Sequence, residues 1–374
     1  MRILDRYILR TFLTPFLACF TAFVMLYFLY DLFNNMDEFI EAHTPIRQMG
    51  EYYLYLIPAV MKIILPVTLL LGVLYSLWQL TKSNEITAMR AAGISLPRMV
   101  VPFVLMGLLC TGVVALVEET IGPKAQEWTQ MFIRAQNVKP GKDARPPHLV
   151  GPLNYHNPIT LRTWEIGEMN MKTDVLDRVM ISQVRQNLFL HYTIRADSLS
   201  WMDGKWVARN ATCQYFDERG ILTQVQGPDG KPAPSVFREW MELEGYIETP
   251  KHLENEVKPP DQLTSLELLE YVAYHPNMKA KRKAEILTQL QMKRATPWIC
   301  LVVTLLGIPF GNQTARKGAM TGIALCIGLF FLCYIGINVM SYLGKEGVVP
   351  PAVAAWAPLG FFGLVAAGMT WRMR

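Results

Sequence analysis

Apolar residues along this chain are gathered into long, nearly uninterrupted blocks instead of recurring at the spacing of a soluble core. Stretches with almost no charge run over 11–30, 52–80, 100–117, 297–310, 319–343 and 348–371. Most reach the roughly 20 residues that an α-helix needs to cross a bilayer. The block at 297–310 is the shortest. Ala295 and Thr296 before it and Gly311 to Thr314 after it lengthen it, and Lys293, Arg294, Arg316 and Lys317 bracket it as cations bracket a span. The pattern therefore predicts six membrane helices, at about 11–33, 53–80, 97–117, 295–313, 319–342 and 350–371. The first block is too long for a cleaved leader and lacks a small-residue cleavage pattern, so it is expected to remain as a span.

Between the third and fourth spans the pattern changes. Residues 118–294, about 175 in all, are enough for one domain with its own core. A short helix is expected over 124–136, then a proline-rich connector over 139–158. From Ile159 to about Glu248 short apolar runs such as Val179 to Val184 and Phe189 to Ile194 alternate with turn residues every eight to twelve positions, the spacing of a β-sandwich or jelly roll. The clearest hairpin is Leu199 to Val207, where Asp203-Gly204 supplies a type I′ turn flanked by Trp201 and Trp206. Thr264-Ser265-Leu266-Glu267 is a capping box that opens a helix to about Tyr274, and a further helix over 279–294 feeds the fourth span. The predicted fold is thus membrane α-helical, with six transmembrane helices, plus an all-β domain with flanking helices.

Charge orients this arrangement. With the N-terminus inside, the cytoplasmic segments hold Arg2, Arg6, Arg10, Lys82, Arg90, Arg98, Arg316, Lys317, Arg372 and Arg374, whereas the opposite short loops hold only Arg47 and Lys345. Short loops rich in Lys and Arg stay in the cytoplasm, so both termini are expected there and the β domain on the other side. The net charge of +5 reports this bias and does not point to nucleic acid. Within 1–10, Arg2, Asp5, Arg6 and Arg10 share one helical face and Ile3, Leu4, Tyr7 and Ile8 the other, which suits a helix lying in the headgroup plane before the first span. Five cysteines (Cys19, Cys110, Cys300, Cys326 and Cys333) fall in spans, and Cys213 alone in the loop domain has no partner there for a disulfide.

The segment Ser83-Asn84-Glu85-Ile86-Thr87-Ala88-Met89-Arg90-Ala91-Ala92-Gly93-Ile94-Ser95, between the second and third spans, encodes a short helix of about 83–93. Ser83 suits the N-cap, Glu85 the first turn, Arg90 the last turn and Gly93 the stop. Such a helix can simply connect two spans along the membrane surface. Ala88, Ala91 and Ala92 also form a small-residue surface that admits a close neighbour, with Ile86 and Met89 as anchors, as in a helix docked in a partner's groove.

Glu85 to Ser95 resembles the signature of the lipopolysaccharide-export permeases, the paired F and G subunits of the Lpt system. The resemblance extends to Asp5-Arg6-Tyr7, to Met36-Asp37-Glu38-Phe39, to Pro58 and Pro66, to the Trp201-to-Trp206 hairpin, and to Gly307-Ile308-Pro309-Phe310-Gly311. It implies an inner-membrane permease that pairs with a second permease and docks on a dimeric cytoplasmic ATPase. The pair lifts lipopolysaccharide from the membrane and hands it to a periplasmic bridge of jelly-roll domains. By position, Glu85, Ala88, Met89, Arg90, Ala91 and Gly93 would couple to the ATPase, with Arg90 either contacting it or locking the helix. The chain has no Gly-x-x-x-x-Gly-Lys-Ser/Thr loop, so ATP and Mg would be used by the partner and no cofactor is expected here.

Lys62 is the only cation well inside a span, roughly 10–15 Å deep at 1.5 Å per residue. It must face a polar cavity, pair or snorkel, and as a functional residue it would bind a lipid phosphate. Family members can carry lysines near the outer end of the first span, where this chain has Asp31, Asn34, Asn35, Asp37 and Glu38. Either the partner supplies the cations, or a divalent metal bridges carboxylate to phosphate, or the cargo is a different glycolipid. Glu118 and Glu119 read as a solvated helix end, and Phe12, Phe16, Phe20, Phe23, Tyr27 and Tyr30 as packing or lipid-facing residues. The histidines show no metal-ligand spacing. Two other classes remain: an intramembrane enzyme, which needs more converging ionisable groups than Lys62 offers, and a non-transporting scaffold, which has no use for a docking helix.

Overall fold

The computed structural model describes residues 3–41, 43–136, 148–226, 232–276, 278–317 and 319–371. In chain order its helices and strands begin with α1 (Ile3–Glu41), α2 (Ile46–Lys82), α3 (Glu85–Ala91), α4 (Leu96–Glu119) and α5 (Gly122–Gln136). Then come β1 (Leu149–Val150), β2 (Leu153–Asn157), β3 (Arg162–Asn170), β4 (Val175–Val184), β5 (Leu190–Met202), β6 (Lys205–Tyr215), β7 (Val225–Gln226), β8 (Pro232–Ala233) and β9 (Val236–Leu243). The chain ends with α6 (Pro250–Val257), α7 (Ser265–Tyr274), α8 (Ala280–Ala295), a 3₁₀ turn at Thr296–Trp298, α9 (Ile299–Lys317), α10 (Ala319–Lys345) and α11 (Pro351–Trp371). Contacts divide it into a membrane unit, residues 1–130 with 279–374, and a β unit, residues 131–278.

Six helical stretches of the membrane unit are long and apolar enough to cross a bilayer: Ile3–Glu41, Ile46–Lys82, Pro97–Glu119, Ala280–Gly311, Ile327–Lys345 and Pro351–Trp371. Helices surrounded by lipid gain little from hydrophobic burial against one another, so their association depends on close packing. The α2–α9 pair supplies it. On α9, Gly307 lies against Val73 and Leu70, and Gly311 against Leu77; a Cβ at Gly311 would sit 2.7 Å from that of Leu77. Gly107 of α4 meets Thr304 of α9, and Gly72 of α2 meets Phe12 and Phe16 of α1. The Gly-x-x-x-Gly run in the fourth span is therefore a packing device. Two apolar clusters flank this spine: Ile8, Phe12, Phe16, Val73, Leu77 and Phe103 on one side, and Leu74, Val303, Leu306, Cys333, Leu359 and Phe362 on the other. Phe12 and Phe16 stack at 5.4 Å within the first cluster, as the packing reading expects.

The first helix departs from expectation. α1 runs unbroken for 39 residues, so the segment after Arg2 forms the first turns of the span and not a separate interfacial helix. Of the apolar face expected there, Ile8 is 1% exposed and packs into the core, while Ile3 and Tyr7 remain exposed. Only 11% of the apolar window of α1 is buried, against 56% in α2.

The β unit is antiparallel throughout, with β1-β3-β4-β5-β6-β9 as consecutive neighbours and β2 also on β3, giving a seven-stranded sheet. Trp164, Ile166, Leu176, Ile181, Leu199, Trp206, Ala208 and Cys213 share one buried core, the alternation of β4 and β6 shifting by one residue at the left-handed Arg178 and Asn210, and Leu253 of α6 joins them. The Asp203-Gly204 hairpin forms with φ of 50° and 80°, and Trp201 pairs across it with Trp206. Thr264 and Glu267 cap α7 reciprocally, as the sequence predicts. The proline-rich connector expected over 139–158 is corrected from residue 149 onward, where β1 and β2 pair with β3; residues 137–147 lie outside the described ones. Pro152 and Pro158 flank β2 without removing any of its ladder donors, which is how a strand hides between prolines.

Candidate functional site

The segment from Ser83 to Ser95 folds as a self-contained loop on the membrane unit. Its start differs from the expectation. Ser83 closes α2, its Oγ 2.9 Å from both the Gln79 carbonyl and Glu85 Oε1, which share its one hydroxyl proton. Asn84 takes the N-cap position of α3, with φ 59° and ψ 14°. A two-residue reversal between helices needs a left-handed residue, and Asn tolerates that conformation where Ser does not.

The far end follows the sequence. Gly93 has φ 81°, its N–H donates to the Arg90 carbonyl at 3.0 Å, and the Ile94 N–H donates to the Met89 carbonyl at 3.0 Å. This pair of bonds is a Schellman motif, and the accompanying contact is present because Met89 and Ile94 both pack on the same apolar cluster.

The two faces of α3 are distinct. Ile86 is 7% exposed and Met89 partly buried, both packed against the membrane unit's own core. In this chain both residues hold α3 down on its own core. Ala88, Arg90, Ala91, Ala92 and Gly93 are exposed, and Glu85 is half-buried. A seven-residue helix is marginal in isolation; here two turns and an inward apolar edge fix it, so the small-residue face is presented in one orientation. Contacts beyond the loop add to this. The Tyr7 phenol of α1 interacts with the Glu85 carboxylate, and Arg98, at the start of α4, donates to Asp5 Oδ2 at 2.9 Å. The Asp5–Arg98 pair was not foreseen, since nothing in a sequence links charges 93 positions apart.

Lys62 has a partner: its Nζ is 3.6 Å from Glu118 Oε1, the latter at the end of α4 distant from α3. Glu118 is consequently not a solvated helix end, because its side chain is 12% exposed. Lys293, 8% exposed, also acts electrostatically on Glu118. At the end of α1 distant from α3, Tyr52 donates to Asp31 Oδ1 at 3.2 Å and Asn35 donates to the Asp31 carbonyl at 3.1 Å. Among the described residues no group of three or more His, Cys, Asp or Glu could hold a metal ion.

The β unit contains a second polar knot that the sequence did not reveal. Glu248, with a fully buried side chain, takes Arg162 at 2.9 Å, Asn157 at 2.7 Å and Thr160 at 2.8 Å, while the Arg162 guanidinium lies 3.8 Å from the Tyr246 ring centre. Every charge in it is partnered within the unit, which assigns it to architecture.

Comparison with known proteins bears on these features as a whole. No curated protein matches the chain. The family model described as lipopolysaccharide export system permease LptF/LptG matches residues 6–372, a span that takes in the six apolar helices, the capped α3 loop and the β unit. Nearly the whole chain being covered, it belongs to the LptF/LptG family of lipopolysaccharide export permeases.

Proposed function

We propose that this chain is the membrane subunit of an ABC-type exporter that extracts lipopolysaccharide from the inner membrane and passes it through its β domain toward the outer membrane. Hydrolysis of ATP with Mg takes place in a separate dimeric ATPase docked on α3. A second permease of the same family completes the membrane part, and a periplasmic component with a similar β-jelly-roll continues the bridge. The observation that carries the reading is the exposed Ala88-Ala91-Ala92 face of α3, held in one orientation by Asn84, Gly93 and the inward Ile86 and Met89. A helix so presented suits a groove on another protein. The exposure of Arg90 favours contact with the ATPase over an internal lock. The cationic bias of the α3 side puts that side, and both termini, in the cytoplasm.

Ala88→Trp tests the docking. A bulky ring on the small face should remove the ATPase from the purified complex while the permease stays inserted; unchanged co-purification and lipid release would overturn the reading.

Lys62 is the cargo contact in this proposal, and a lipid phosphate has to displace Glu118 to reach it. Lys62 Nζ and Glu118 Oε1 are 3.6 Å apart, beyond hydrogen-bond length, so the ammonium can exchange partners. A photoreactive residue at position 62 should label lipopolysaccharide in the resting complex; labelling of bulk phospholipid alone would mean that Lys62 serves only Glu118. The acidic Asp31 to Glu38 stretch favours one second reading, a glycolipid cargo that carries fewer phosphates, which the same labelling would reveal.

A further inference from the structure

The α3 loop is tied back to the first turns of α1 at both of its ends. At the start, Glu85 is held by Ser83 at 2.9 Å and interacts with the Tyr7 phenol. Past the end, Arg98 of α4 donates through Nη2 to Asp5 Oδ2 at 2.9 Å, with the Asp5 side chain 13% exposed. Between these points Ile86, Met89 and Ile94 of the loop share an apolar cluster with Leu4 and Ile8 of α1.

Apolar packing is non-directional, so a packed loop can slide over its neighbour. Charge-assisted hydrogen bonds are directional and fix register. The Asp5–Arg98 bond is such a link, and together with the packing of Ile86, Met89 and Ile94 against Leu4 and Ile8 it makes the start of α1 follow the loop.

The rest of α1 is suited to receive that motion. Ile8, Phe12 and Phe16 are buried at this end and Val24 and Phe39 farther along, and only 11% of its apolar window is covered. It is one continuous helix that contains Pro15, and Asp5 and Asp31 are about 40 Å apart along it at 1.5 Å per residue, so a displacement at Asp5 is carried into the rest of the span. The helices that form the spine, α2 and α9, are interlocked through Gly307 and Gly311 and offer no comparable freedom.

We infer that Asp5, Tyr7 and Arg98 are positioning residues that pass displacement of the docking helix to the first membrane helix. The inference rests on the reading of α3 as the docking element. None of the three touches cargo or nucleotide in this scheme; they act through the helices they join.

The test uses the complete complex, this chain with its ATPase and second permease in vesicles, and measures lipid released per ATP hydrolysed. Asp5→Asn and Arg98→Gln should each leave ATP hydrolysis within about twofold of wild type and lower release per ATP by about tenfold, a factor within the range of coupling between contacting residues. Tyr7→Phe should give a smaller loss of the same kind. The charge-swapped double variant D5R/R98D should recover more than half of the lost ratio, a rescue that a general loss of stability would not produce. Unchanged release per ATP in both single variants overturns the inference, as does a well-folded swap that recovers nothing. Ala88→Trp separates this from the docking reading. If it removes the ATPase while Asp5→Asn and Arg98→Gln stay fully coupled, the relay alone fails; if the ATPase remains bound, the docking reading fails with it.

Discussion

In the β unit the carboxylate of Glu248 has no exposed surface and is surrounded by Arg162, Asn157 and Thr160, whereas the ion pairs of the membrane unit keep one partner in reach of solvent, Lys62 at 39% and Arg98 at 40% exposed. A buried charge is tolerable only with its full set of partners, so a fully satisfied knot holds one conformation and nothing else. A half-exposed pair is not locked in this way: Lys62 and Glu118, 3.6 Å apart, can exchange partners, and Asp5 and Arg98, bonded at 2.9 Å, can move together with the helices they join. The membrane unit draws its rigidity from another source, the glycine contacts of α9 on α2. Charge is structural in one unit and available for work in the other.

The most severe way to break this contrast is Glu248→Ala. It strands the Arg162 guanidinium beside Tyr246 and should cost about 3–5 kcal/mol, the usual penalty for removing one member of a buried pair. Unfolding followed by tryptophan fluorescence reads it, since Trp164 and Trp206 lie in that core. Glu248→Gln, which keeps an acceptor oxygen for Asn157 and Thr160, should cost distinctly less; equal losses would mean that the knot depends on the negative charge, which both variants lack. Next in size is Gly311→Leu. Its Cβ would collide with the Cβ of Leu77, and overpacking of this kind costs about 1–3 kcal/mol. Thermal unfolding in detergent should detect the loss, and wild-type stability in this variant would remove the glycine spine from the account.

Which of these features the sequence could disclose follows from their range. The six apolar blocks became six long helices because lipid-spanning length is written in composition. Gly93, the Asp203-Gly204 turn and the Thr264–Glu267 capping box were legible because each is decided by neighbours within a few residues. Ser83 and Asn84 were exchanged because both are good caps, and only the backbone reversal selects the left-handed residue. β2 was concealed by its flanking prolines. The Asp5–Arg98, Lys62–Glu118 and Arg162–Glu248 pairs were not legible, since their members are brought together by helix packing and strand order. Lys62 was singled out for its depth in the membrane, but depth does not name a partner.

The smallest expected effect sharpens the contrast from within the β unit, where two histidines near the surface behave oppositely. His275, at the end of α7, has its Nε2 2.9 Å from Glu256 Oε1, and its Nδ1 is 2.9 Å from the Tyr271 carbonyl. Burial pulls its pKa down, but the Glu256 and Tyr271 partners outweigh it, and the net shift is upward from 6.5. His252, in the first turn of α6, has its pKa lowered, chiefly by burial. Its Nδ1 accepts from the Thr249 N–H at 3.2 Å, a role that protonation would end. The raised His275 contributes stability that is complete below about 6.5 and fades as pH rises through its folded value; the lowered His252 contributes stability that is complete above about 6.5 and fades as pH falls. In the wild type the two slopes oppose each other. His275→Gln should therefore leave the β unit losing stability between pH 7 and 5 more steeply than wild type, and His252→Gln should do the reverse. Chemical denaturation at several pH values measures both, and parallel profiles for wild type and the two variants would show that neither histidine is held in the charge state its partners favour.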